Sequence, residues 1–193
     1  QMVASKGYMY EMKDTASSAA PISFATVGGK SLITYTNDNN VPVSFIKMNG
    51  KYYLVSSANS AYGEITAAIA SQYGMTLDSI AAVFDAADFT IFLSCSYKGN
   101  GTAAIGSTNY QYEDYYNPVL QHINRFFFDQ NGTLVYMTTV DSTGAQGMLS
   151  ALSVYTATDS VFDILNTYQL VDLSGAQAQT QTQTPTQNQT AAQ

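Results

Sequence analysis

Apolar and polar residues alternate with a period of two along much of this chain, which is the pattern of half-buried β-strands. The clearest case is the segment 124–140, where two runs of bulky residues flank Asn131-Gly132. Asn tolerates and Gly readily adopts the positive φ of a two-residue turn, so the segment predicts a β-hairpin. Counting back from the turn gives the expected cross-strand pairs: Phe128 with Val135, Phe126 with Met137, and Phe127 with Tyr136.

A second Asn-Gly hairpin is predicted over 41–57, turning at Asn49-Gly50. Both of its faces are apolar, so the strand pair should be covered from two sides. One face carries Val43, Phe45 and Leu54, and the other carries Ile46, Met48, Tyr53 and Val55. Alternation predicts further strands at 1–12, 21–27 and 30–36.

The period changes to that of a helix over Ser60–Tyr73, and Gly74 follows where a left-handed C-cap residue belongs. Thr76 is suited to cap a second helix, with Asp78 in its first turn. The inner face of that second helix is predicted to carry Ile80, Val83, Phe84 and Ala87. Beyond it, the sequence predicts an apolar strand at 89–97, a long loop at 99–116 and a loop at 142–147. Residues 148–156 fit a strand or a helix, and 160–173 begin as a helix and end as a strand.

Together these elements predict a mainly β fold. The expected architecture is a β-sandwich of pilin, immunoglobulin-like or jelly-roll type, with one inserted helical hairpin at about 60–88. The organisation expected along the chain is a separate N-terminal strand over 1–12, a linker over 13–20, a body over 21–173 and a Gln/Thr-rich tail over 174–193.

Composition narrows the class of protein. Charged residues make up 11% of the chain, which is less than half the usual fraction of roughly 25%. The formal net charge of −7 argues against a nucleic-acid partner. One cysteine excludes an intramolecular disulfide framework, and no apolar run is long enough to span a membrane. We expect a protein secreted to the cell surface after loss of a signal peptide, with N-linked glycans at the Asn-x-Thr sites Asn100, Asn131 and Asn188.

Candidate catalytic residues are few. His122 is the single histidine and Cys95 sits in an apolar run, so both are expected to pack. Asp141 precedes Ser-Thr-Gly, which differs by one residue from an aspartic-protease loop. The pair Glu113-Asp114 lies among tyrosines and could hold Ca²⁺ or a sugar. Without a nucleotide or metal motif, we expect no enzyme, no cofactor and no metal, and a secreted hydrolase using Asp141 or Glu113 is an alternative.

The stretch 64–83 resembles the helix pair of LysM glycan-binding modules. The matching residues are Gly63, Glu64, Ile69, Ala70, Tyr73 and Gly74. Thr66 stands where the module has Leu, and the module's returning strand is missing. The spacing of Ala70, Gly74 and Ile80 also fits a helix-turn-helix, although residues 60–89 contain no base to contact DNA. A secreted LysM-like glycan-binding module is therefore a further alternative.

The layout of the whole chain resembles that of donor-strand-complemented filament subunits. These include chaperone-usher pilins and, more closely, the glycosylated thread-like and bundling pili of archaea. The resemblance implies a head-to-tail homopolymer that serves adhesion or biofilm formation, in which the first strand completes the sheet of the next subunit. The implied donor residues are Met2, Ala4, Tyr8, Tyr10 and Met12.

Overall fold

The fold is described by a computed structural model covering residues 7–37 and 39–174, without the side chain of residue 91. The described residues form twelve strands in one sheet, ordered β12-β6-β5-β4-β3-β2-β1-β11-β10-β9-β8-β7. Neighbouring strands are antiparallel except β12 and β6, which are parallel. The strands are β1 (Gly7–Asp14), β2 (Ile22–Val27), β3 (Lys30–Thr36), β4 (Pro42–Met48), β5 (Lys51–Ser56), β6 (Ala61–Glu64), β7 (Ser96–Ile105), β8 (Thr108–Asn117), β9 (His122–Phe128), β10 (Leu134–Val140), β11 (Ser150–Thr156) and β12 (Gln169–Leu170).

The helices are short and lie mostly between β6 and β7. They are α1 (Ala67–Gln72), α2 (Leu77–Ala87) and a 3-10 helix (Phe89–Ser94), followed later in the chain by a 3-10 helix (Asp159–Phe162) and α3 (Ile164–Thr167), with one more 3-10 turn at Ser57–Asn59. The α1–α2 hairpin thus joins strands that lie near opposite edges of the sheet. The predicted mainly β, sandwich-like class with one inserted helical hairpin is confirmed.

The sheet has a hydrophobic core on each face. The inner face, which carries Tyr10, Phe24 and Ile33, packs against Ile69 of α1 and Phe84 of α2. The outer face packs against the helical segment that precedes β12. Ile46 and Val55 of the sheet and Phe162 of that segment are the buried residues of this second core. Burial on both sides confirms the prediction made for 41–57 from its two apolar faces.

The first strand corrects the expectation of a segment that stands apart from the body. β1 lies between β2 and β11 and pairs with both, with Tyr10 opposite Phe24 on one side and Val154 on the other. Lys13 and Asp14 extend this strand, so the Ser- and Ala-rich segment predicted as a linker is the loop of the β1–β2 hairpin. Tyr8, Tyr10 and Met12 therefore complete the sheet of their own chain, and Met2 and Ala4 lie outside the described residues.

The two Asn-Gly turns behave differently. Asn49 and Gly50 both have positive φ and connect Met48 directly to Lys51, as a two-residue turn requires. After β9, by contrast, the Asp129 carboxylate accepts hydrogen bonds from the backbone N–H groups of Asn131 and Thr133 and holds a five-residue loop. The pairs Phe126–Met137 and Phe127–Tyr136 are confirmed, but a bulge places Leu134, not Val135, opposite Phe128.

Three other segments differ from the sequence predictions. Residues 61–64 form β6 instead of the first turn of a helix, and the apolar run at 89–94 is a 3-10 helix. The predicted loop at 99–116 is the β7–β8 hairpin, the longest pair of strands described. Gly101 on β7 lies opposite Tyr112 on β8, and a Cβ at position 101 would lie 2.7 Å from the Tyr112 hydroxyl oxygen. A glycine at this position therefore leaves room for the tyrosine side chain across the strand pair. Residues 148–156, whose sequence fits a strand or a helix, contain β11.

Candidate functional site

A cleft of about 410 Å³ lies between α2 and the inner face of β3 and β4. Ile33, Tyr35 and Phe45 form its sheet wall. The residues of its helix wall come from α2 and the turn that precedes it, namely Met75, Ser79, Ile80, Val83 and Phe84. None of these residues is charged. We call this feature the α2 cleft.

The N-terminal end of α2 is fixed by a capping box. The Thr76 hydroxyl accepts a hydrogen bond from Ser79 N at 3.0 Å, and Thr76 N donates to the Ser79 hydroxyl at 3.0 Å. The Ser79 hydroxyl also donates to Thr76 O. This reciprocal pairing satisfies backbone N–H groups that have no hydrogen-bond partner within the first helical turn. The hydroxyl of Ser79 is therefore engaged at the rim of the cleft, and Gly74, with φ of 69°, makes the turn from α1.

The C-terminal end of α2 is tied to β1 by two buried tyrosines. The Tyr8 hydroxyl donates to Asp88 Oδ1 at 2.5 Å and accepts from Phe89 N at 2.7 Å. The Tyr10 hydroxyl donates to Ala87 O at 2.8 Å. Burial, with the Asp88 carboxylate as a further cause, raises the pKa of both tyrosines well above the usual value. These neutral hydroxyls anchor one end of the helix, so its position over the sheet is defined.

Between these ends, α2 is only partly packed. Ile80 and Phe84 are buried, but Val83 is 57% exposed and Met75 is 37% exposed. Val83, predicted on the inner face of the helix, does border the cleft that faces the sheet, but it is not buried there. The reason is that the helix stands away from β3 and β4 at this point, which leaves the α2 cleft open beside Val83.

The polar groups around the α2 cleft are few. Tyr35 stacks on Phe45 with ring centroids 6.1 Å apart, and no hydrogen bond of its hydroxyl is found within residues 7–37 and 39–174. Lys47 follows Phe45 on the same face of β4, and its Nζ lies 3.1 Å from Oδ1 of Asp85 on α2. The Lys47 ammonium group is therefore already paired with an acid of the helix.

Two other depressions are larger and more polar. One of about 710 Å³ lies beside β5, β6 and the segment 170–174, and its lining includes Lys51, Glu64 and Asp172. Lys51 and Glu64 form an ion pair at 2.8 Å there. The other, of about 530 Å³, lies at the β7–β8 hairpin and includes Asn100 and Glu113. The α2 cleft is smaller than both, but its apolar walls make it the best-formed site for a ligand.

Glu113 and Asp114 do not act as a pair, because adjacent residues of β8 point to opposite faces. Asp114 accepts two hydrogen bonds of 2.8 Å from Arg125, whose guanidinium also lies 3.9 Å from the Tyr112 ring centroid. Glu113 accepts from the Tyr115 hydroxyl at 2.7 Å, which raises the pKa of Tyr115 to about 12. Both carboxylates are engaged in structural contacts. No three His, Cys, Asp or Glu side chains group as metal ligands within the described ranges.

Asp141 stabilises its own loop. Its Oδ1 accepts hydrogen bonds from the Thr143 backbone and hydroxyl and from Ala145 N. These bonds, led by the one from the Thr143 hydroxyl, lower the pKa of Asp141. An ionised carboxylate that holds a loop in this way lacks the second carboxylate that an aspartic-protease dyad needs.

His122 and Cys95 both contact the side chain of Asn124. His122 Nε2 lies 3.1 Å from Asn124 Oδ1, and Asn124 Nδ2 lies 3.9 Å from Cys95 Sγ. Burial raises the pKa of Cys95, which is the opposite of what a nucleophilic thiol requires. The arrangement is a packed polar cluster with Asn124 at its centre.

The residues that match LysM modules are mostly structural here. Gly63 is buried on β6, where a Cβ would lie 2.8 Å from Val171 O. Glu64 pairs with Lys51, while Ile69 and Ala70 are buried against the sheet and Tyr73 is exposed. Ile80 of the helix-turn-helix spacing is buried as well. The hairpin therefore uses most of these residues to pack onto the β-sheet.

The Asn-x-Thr sites lie at the surface where the structure describes them. Asn100 is exposed on β7, and Asn131 is exposed in the loop between β9 and β10. Asn188 lies outside the described residues. None of the helices described reaches the length and apolar character needed to cross a membrane.

Neither a protein-family model nor a curated protein sequence matches this chain. Among solved structures, the chain is similar to an uncharacterized conserved protein from Thermus thermophilus, with a TM-score of 0.43, 5% identity and coverage of 88% of this chain and 92% of that one. It is also similar to MucB in complex with MucA(peri), with a TM-score of 0.27, 6% identity and coverage of 81% and 52%. For PNGF-II the TM-score is 0.29, with 11% identity and coverage of 87% and 31%. Similarity at this level supports no conclusion about function.

Proposed function

We propose that this protein binds the apolar chain of an amphiphilic ligand in the α2 cleft and carries out no reaction on it. The observation that supports this proposal is an uncharged cavity of about 410 Å³ between a helix and a sheet, walled mainly by aliphatic and aromatic side chains. Binding sites for small molecules fall at about 300–1,000 Å³ and are mostly apolar with a few polar groups. Water in such a cleft finds few hydrogen-bond partners, so an apolar ligand readily displaces it.

The burial of methylene groups sets the scale of the hydrophobic contribution to binding. Each methylene group removed from water contributes about 0.8 kcal/mol. A chain of about eight buried methylenes would therefore contribute roughly 6 kcal/mol before the costs of association. Phe45 and Phe84 add aromatic contact surface to this contribution, and the dissociation constant depends on what remains after the costs of association.

Titration with diphenylhexatriene, a hydrocarbon probe that fluoresces in apolar surroundings, tests this proposal. We expect a saturable rise in fluorescence with one site per chain, and displacement of the probe by 1-decanol. Native mass spectrometry of the same mixture should show one bound decanol molecule. A linear, non-saturating signal together with no bound mass would show that the α2 cleft takes no such ligand.

A second proposal is that the protein is the glycosylated subunit of an extracellular filament. The observation that favours it is the free edge of β7, a ten-residue strand that pairs with β8 alone among the described strands. An unpaired edge of this length invites strand addition. β12 lies at the opposite edge of the sheet, so a contact that uses both edges would run head to tail and extend into a fibre.

If this second proposal holds, lysines on the free edge should block fibre formation. The variant Thr102→Lys/Ala104→Lys places two charges on exposed positions of β7, and charge at an edge opposes pairing with another chain. Negative-stain electron microscopy should show fibres of the parent protein and none of the variant. Gln111→Lys on β8, an interior strand, is the matched control. Monomers of the parent protein at all concentrations would count against a filament.

A further inference from the structure

The charges beside the α2 cleft limit which headgroup a ligand can carry. This inference rests on the proposed binding function. α2 carries two acids, Asp78 and Asp85. Within residues 7–37 and 39–174, the base beside the cleft is Lys47, which is bound to Asp85 at 3.1 Å. The protein as a whole has a formal net charge of −7. A carboxylate headgroup would have to displace Asp85 from Lys47 and would leave that acid without its partner.

One polar group of the cleft is available to a ligand. The hydroxyl of Ser79 is engaged in the capping box with Thr76. The hydroxyl of Tyr35, by contrast, has no hydrogen-bond partner among residues 7–37 and 39–174, and its ring is held against Phe45. A phenol can both donate and accept a hydrogen bond, so it matches an alcohol, and a fixed ring gives that contact a defined position.

We propose that the α2 cleft selects amphiphiles with an uncharged, hydroxyl-bearing headgroup, such as long-chain alcohols or monoacylglycerols, and that Tyr35 positions this headgroup. The apolar chain then lies between Val83 and Phe45, where none of the described residues that line the wall is charged. An ionised fatty acid of equal chain length loses hydration at its carboxylate without gaining a free cation, since Lys47 is already paired.

The experiment compares three ligands with the same ten-carbon chain at pH 8, namely 1-decanol, decanoate and decylammonium, by displacement of diphenylhexatriene. We expect decanol to bind at least about tenfold more tightly than decanoate, which finds no free cation among the described residues beside the cleft, and more tightly than decylammonium, whose charged headgroup loses hydration at an apolar wall. If an ion binds as tightly as decanol, the selectivity for an uncharged headgroup is wrong while binding in the cleft stands. If none of the three displaces the probe, the proposed function itself fails.

The Tyr35→Phe variant tests the positioning role. It keeps the ring stacked on Phe45 and removes only the hydroxyl, so the affinity for decanol should fall about fivefold. The affinity for diphenylhexatriene, which has no hydrogen-bonding group, should remain within twofold of the parent value. An equal loss for both ligands would show that Tyr35 merely supports the wall, and an unchanged decanol affinity would also overturn its assignment.

Discussion

Replacing Phe24 with alanine is expected to lower the free energy of unfolding by about 3–5 kcal/mol, the usual cost of deleting a buried phenylalanine ring. Phe24 is 1% exposed, and its ring centroid lies 6.0 Å from that of Tyr8 and 5.5 Å from that of Tyr10. The two tyrosines in turn hold the end of α2 through Asp88 and Ala87. A cavity at this point therefore loosens both the sheet and its connection to the helix.

Urea unfolding followed by circular dichroism measures this effect. Ile22→Ala is the matched control, since Ile22 lies two residues earlier on the same strand and face but is 45% exposed. We expect the control to cost less than about 1.5 kcal/mol. Equal losses for the two variants would contradict a core centred on β1 and β2. Because domains of this kind are stable by only about 5–15 kcal/mol, Phe24→Ala is expected to shift the midpoint strongly.

Local patterns predicted much of the fold from the sequence. The alternation in 41–57 correctly predicts that this strand pair is covered on both faces, because the side chains of a strand point alternately to its two sides. Thr76 and Gly74 marked the limits of the helices through chemistry that acts within one turn. The prediction of a two-residue turn at Asn131-Gly132 was wrong because Asp129, two residues before Asn131, binds the loop backbone and changes the register.

Longer-range features could not be predicted in the same way. The Ser- and Ala-rich segment that follows residues 1–12 predicts a separate strand on a linker, but hairpin loops and linkers share this composition. What decides the matter is the pairing of Tyr10 with both Phe24 and Val154, and Val154 lies far away in the chain. Whether subunits polymerise by another edge stays a prediction.

The α2 cleft escaped prediction for a related reason. Its walls come from β3, β4 and α2, and their separation depends on how the helix is anchored at Tyr8 and Tyr10. The periodicity of α2 places Val83 near Ile80 and Phe84 but does not show which of the three contacts the sheet. Ile80, Val83 and Phe84 have the usual spacing of a core-facing stripe, so the sequence carries no signal that one of them stays exposed.

Val83→Trp is expected to reduce the affinity for decanol and for diphenylhexatriene at least tenfold. Val83 lines the α2 cleft yet is 57% exposed, so the larger indole can turn into the cleft and occupy the space of the ligand without overpacking the core. The melting temperature should stay the same or rise slightly, since the indole covers apolar surface of Phe45 and Ile80. Loss of binding with an intact fold would locate the site at this helix.

The chain contains no tryptophan, so the introduced indole reports its own surroundings. Its emission should be blue-shifted, as expected for an indole in an apolar cleft, and should respond little to added decanol. Ala82→Trp is the matched control, because Ala82 is the preceding residue of α2, is exposed and lies outside the cleft lining. That variant should emit as a solvated indole and bind decanol like the parent protein. If Ala82→Trp weakens binding as much as Val83→Trp does, the ligand occupies another part of the molecule, since only one of the two positions borders the cleft.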